Sequence, residues 1–130
     1  MTDNLQAQLE LIGKTISEPF SADNPAGLLE ALNACASLLS SSSWTVAESE
    51  KQLKQAEGRA IEALLNLENQ DGSLPASIMK KKIESDTATE QYNLKLSERY
   101  NAGLVHKIEA LRSTISYIKE EMNRARYGDA

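Results

Sequence analysis

The stretch that decides the fold is Leu104-Val105-His106-Lys107-Ile108-Glu109-Ala110-Leu111-Arg112-Ser113-Thr114-Ile115-Ser116-Tyr117-Ile118-Lys119-Glu120-Glu121-Met122. Its apolar residues Leu104, Ile108, Leu111, Ile115, Ile118 and Met122 alternate four and three apart, an unbroken seam of heptad a and d positions. Such a seam requires another helix against it. From Pro75 to Tyr127 the only Gly or Pro after Pro75 is Gly103. The spacing therefore predicts one long C-terminal helix of roughly 53 residues, about 80 Å long at 1.5 Å per residue.

Extended upstream, the same register places Asn101, Ser97, Leu94, Glu90, Thr87 and Ile83 on the seam, which turns polar between Thr87 and Asn101. Two readings follow: either the helix is solvated there, or its contact face moves to the row Tyr92, Leu96 and Tyr100. Thr87-Ala88-Thr89-Glu90 also has the form of a capping box, which would break the helix at that point.

Three N-terminal helices are expected over residues 1–72, making with 73–127 a single all-α domain, a helical bundle or hairpin with a long coiled-coil-like C-terminal helix. Leu5, Leu9, Ile12 and Ile16 form one stripe of a first helix, stopped at Glu18-Pro19. Asp23-Asn24-Pro25 is a start signal for a second, covering about Pro25 to Leu39 and apolar around most of its circumference. Ser40-Ser41-Ser42-Ser43 interrupts, and Thr45-Val46-Ala47-Glu48 reads as the capping box of a third helix with Val46, Leu53, Ala60, Leu64 and Leu67 inside. Gly72 suits the residue after that helix, and Ser73 an N-cap for the next. The third helix, about 25 residues and about 38 Å, is too short to cover its neighbour. The first two helices or a second copy of the chain must cover the rest.

Composition narrows the function. The chain has 130 residues, 41% of them hydrophobic and 5% aromatic, with 6 Gly, 3 Pro and one Cys, which suits helices and neither a β-barrel nor a disulfide scaffold. No apolar run is long enough to span a bilayer, and Met1-Thr2-Asp3-Asn4 lacks signal-peptide character, so a cytoplasmic protein is expected. The net charge of −5 divides unevenly: residues 1–77 carry 4 basic and 11 acidic side chains (−7), residues 78–130 carry 10 and 8 (+2). That acidity disfavours general nucleic-acid binding.

Catalytic apparatus is not legible. His106, the single histidine, falls on an outward f position, and Cys35 among apolar neighbours reads as a small core residue. A helical di-metal site needs Glu-x-x-His pairs, and the residue three before His106 is Gly103. Asp71-Gly72-Ser73-Leu74 only approximates a carrier-protein attachment site, and no phosphate-cradling glycine motif occurs. No catalytic residue, metal ligand or cofactor is therefore assigned. Two cationic features remain, Lys80-Lys81-Lys82 and the e-position row Arg112, Lys119 and Arg126, with Tyr117 and Arg124 nearby. The row is a candidate binding strip for nucleic acid or an acidic protein, with Tyr100, Tyr117 and Tyr127 as stacking groups. Read as plain helix surface, it would pair Arg112 with Glu109 and Arg124 with Glu120.

Tyr92, Tyr100, the run Ile108-Glu109-Ala110-Leu111-Arg112-Ser113, then Ile115-Ser116 and Ile118-Lys119-Glu120, resemble the C-terminal helix of small helical bacteriophage proteins. Genes for those proteins often neighbour those for single-strand annealing recombinases and single-stranded-DNA-binding proteins. Arg112, Ser113 and Ser116 carry the match, which covers about a quarter of the chain and implies a phage-like setting rather than a reaction. The expectation is a non-enzymatic interaction protein that self-associates through the seam of Leu104, Ile108, Leu111, Ile115, Ile118 and Met122, accessory to phage DNA recombination or replication. The alternative is an inhibitor or adaptor that binds a host or phage protein, or a small signalling molecule, through its helical surface.

Overall fold

The computed structural model describes residues 2–72 and 74–127, and among them every regular element is a helix: α1 (Thr2–Ser17), α2 (Pro25–Ser37), α3 (Leu39–Asp71), α4 (Ala76–Asp86) and α5 (Ala88–Tyr127). The all-α reading holds. α2 begins where Asn24 and Pro25 predict, with the Asn24 side chain accepting from the Gly27 N–H at 3.1 Å. Gly72 ends α3 at a φ of +91°, where a side chain would be strained, and its N–H bonds the Glu68 carbonyl at 2.9 Å. Ser73 lies outside the described residues.

The third helix does not start at Thr45. Only Leu38 separates α2 from α3, and the hydrogen bond from Ser42 N–H to the Leu38 carbonyl, 2.8 Å, carries the chain across. The serine run is helical, because its inner hydroxyls find partners within the bundle. Ser42 Oγ donates to Asn101 Oδ1 at 2.8 Å, and Thr45 Oγ1 donates back to the Ser42 carbonyl at 2.7 Å instead of capping a terminus.

A comparable one-residue interruption at Thr87 separates α4 from α5, so the single long helix expected over 75–127 is two helices, divided at the point the Thr87-Ala88-Thr89-Glu90 pattern marks. Thr87 does not act as a capping-box acceptor for Glu90. Its Oγ1 donates to the Ile83 carbonyl (2.7 Å) and accepts from Gln91 Nε2 (2.8 Å), while Thr87 N–H bonds the Ile83 carbonyl and Gln91 N–H the Thr87 carbonyl on either side of the interruption.

The α2–α3 arm runs antiparallel to the α4–α5 arm, since α2 packs on α5 while the far end of α3 packs on α4. Helix α1 is the third member, lying against both α3 and α5. It runs parallel to α5: Gln6 meets Asn93, Gly13 meets Tyr100 and Ile16 meets Gly103, each pair 87 residues apart. Of the predicted stripe of α1, Leu5, Leu9 and Ile12 are fully buried and Ile16 is half-buried.

The apolar core lies at the other end of α5, where Leu104, Ile108 and Leu111 close on Leu28 and Cys35 of α2, with Ile16, Leu32, Ile115 and Ile118 around them. The polar stretch upstream is neither solvated nor bypassed. Thr87 and Ser97 on the seam are fully buried and Asn93 on its g flank nearly so, while of the alternative row Tyr92 is 63% exposed and Leu96 and Tyr100 are half-buried, so the contact face keeps the seam and widens toward α1.

Candidate functional site

No group of three or more His, Cys, Asp or Glu converges among the described residues as metal ligands would, and no described helix is long and apolar enough to cross a membrane. Cys35 is buried beside Leu28 and Leu104. Burial pushes its thiol above the ordinary value; the Lys107 charge opposes this and Glu18 adds to it. His106 faces solvent, 3.7 Å from Glu109.

The surface features gather on α5. Leu104, Ile108 and Leu111 of the seam are spent on α2 and have no surface left for a second copy. Ile115 and Ile118 are half-buried at the start of α2, and Met122, 63% exposed, lies beyond it. There a groove of about 180 Å³ forms between Pro25, Leu28 and Leu29 of α2 and Ile115, Ile118, Lys119 and Met122 of α5. It is smaller than the pockets of about 300–1,000 Å³ that enclose small-molecule ligands. The trough that continues along Lys119, Met122, Asn123 and Arg126 is lined, among the described residues, by α5 alone.

Arg112, Lys119 and Arg126 are all exposed, as is Tyr117. Neither local ion pair expected from the sequence forms: Glu109 lies beside His106, and Arg124 pairs with Glu121 at 3.5 Å. Among the described residues Arg112, Lys119 and Arg126 take no carboxylate within 4 Å. Lys80, Lys81 and Lys82 are exposed on α4, with Lys82 3.7 Å from Asp86. Tyr100 is not a free stacking group: it packs on Gly13, where an added Cβ would come within 2.8 Å of its hydroxyl.

One residue that the sequence does not single out proves to be structural. Lys107 Nζ donates to the carbonyls of Thr15 (2.6 Å), Ile16 and Glu18, placing a cation on the open C-terminal carbonyls of α1. Its only local signal is the heptad spacing Asn93, Tyr100, Lys107, a g-position row, and nothing in α1 announces its partner.

No family model, curated protein or solved structure matches the chain.

Proposed function

We propose that the chain is a non-enzymatic, self-associating helical interaction protein, acting in the host-cell cytoplasm as a phage-type accessory factor in DNA recombination or replication. The observation that carries the interaction role is the outer part of α5, where Met122 and Tyr117 stand exposed beside cations that take no partner within the described chain. Side chains of this kind, an apolar body flanked by charge, are those that recognition surfaces use. The recombination setting rests on the resemblance of the C-terminal helix alone.

Sedimentation of the full chain from low to high micromolar concentration tests self-association. A mass that rises above 14.3 kDa with concentration supports it, and a strict monomer throughout overturns it. The second reading, an adaptor or inhibitor docking a host or phage protein, draws on the same open cations. It is favoured if a nuclease-treated affinity capture recovers one stoichiometric protein while the chain itself stays monomeric.

A further inference from the structure

The two flanks of the α5 seam are used differently. On one, Asn93, Tyr100 and Lys107 hold α1. On the other, the row Gln91, Glu98, Val105, Arg112, Lys119 and Arg126, spaced seven apart, has no buried member, and Val105 is 38% exposed. Glu98 joins Arg112, Lys119 and Arg126 in making no ion pair among the described residues.

The order of charges along this row is informative. Its acid precedes Val105 and its bases follow it. Read in reverse about Val105, the row is its own complement: Glu98 meets Arg112, Gln91 meets Lys119, and Val105 meets itself. A two-fold contact uses one patch twice and so requires this self-complementarity. Parallel alignment in register would instead set Glu98 against Glu98 and Arg112 against Arg112, which charge repulsion disfavours.

We propose that two copies of the chain pair antiparallel along this flank of α5, about a two-fold axis at Val105. Two symmetry-related Glu98–Arg112 ion pairs form, with Lys119 of each copy reaching the side-chain amide oxygen of Gln91 of the other. This rests on the self-association reading above and assigns it a face and a direction. Because the contact is mostly ionic and solvent-edged, added salt weakens the dimer.

Charge reversal tests the pairing. Glu98→Arg makes the ion-pairing positions all basic and Arg112→Glu makes them all acidic, so each variant alone should dimerise roughly tenfold or more weakly than the wild type. Mixed in equal amounts they should form a heterodimer, and the double variant Glu98→Arg/Arg112→Glu should regain the wild-type constant. All sites are exposed, so thermal melts should stay unchanged and separate loss of association from loss of fold. A dimer indifferent to both reversals overturns this face while leaving self-association standing. A chain monomeric at every concentration overturns both. Capture of a Glu-rich helical peptide by a monomeric chain, abolished by Arg112→Glu, would assign the flank to an acidic partner and overturn the second-copy proposal.

Discussion

From Leu104 to Leu111, α5 buries leucine and isoleucine against the apolar side of α2; from Thr87 to Asn101 it buries threonine, asparagine and serine near an α3 whose buried residues include Ser42, Thr45, Ser49 and Ala56. Both halves lie on one heptad register and meet one antiparallel arm. The difference is where the large side chains originate. In the apolar half the hairpin supplies its own. In the polar half the buried Leu5, Leu9 and Ile12 come from α1, which runs parallel to α5 and is tied to it by Lys107. Small side chains on two helices leave room for a third, and polar ones require partners there. Partnering is incomplete: Ser49 Oγ and Gln8 Oε1 are buried without a hydrogen bond. The polar half therefore depends on α1, and the apolar half far less.

The largest effect should come from truncating a leucine in either half. Leu111→Ala and Leu9→Ala should each cost about 2–5 kcal/mol in denaturant unfolding, through lost transfer energy and the cavity left behind. The comparison predicts that they differ in location. Leu9→Ala should raise amide exchange chiefly over residues 87–101, and Leu111→Ala over the α2 contact. Equal loosening of both halves by Leu9→Ala would show that the halves are not distinct.

A smaller effect belongs to the Ser42–Asn101 hydrogen bond. Asn101→Ala leaves the buried Ser42 hydroxyl without its acceptor and should cost about 1–3 kcal/mol, whereas adding Ser42→Ala should recover a large part of that loss. Additive costs from the two substitutions would mean that the pair is not coupled and that the polar half is held by α1 packing alone.

Much of the architecture is legible because it is written in local chemistry. Asn24-Pro25 starts α2, Gly72 stops α3, the spacing of Leu5, Leu9 and Ile12 fixes the buried stripe of α1, and the four-three spacing from Leu104 fixes the inner face of α5. The misreadings fall where a distant partner overrides a local pattern. Thr45 and Thr87 each begin a sequence with capping-box form, yet both hydroxyls donate to the carbonyls of their own preceding turn; α3 runs unbroken through Thr45, whereas at Thr87 the helix does break, without the capping-box hydrogen bond. Ser40 to Ser43 reads as a linker until Asn101, 59 residues from Ser42, is seen to accept from it. The candidate strip was legible as residues, Arg112, Lys119 and Arg126, but not as a surface. Only the packing shows that Lys107 and Tyr100 on the opposite flank are occupied, and that the seam beside the strip is closed by α2.

The Leu104–Leu111 seam is covered within one chain, which leaves association to the outer flank of α5. Hydrogen exchange of the full chain over a wide dilution series tests this most directly. Protection across residues 104–111 should be high and independent of concentration, with any concentration dependence confined to the outer flank. Protection of 104–111 that disappears on dilution would contradict the account, because a second copy would then be what covers the seam.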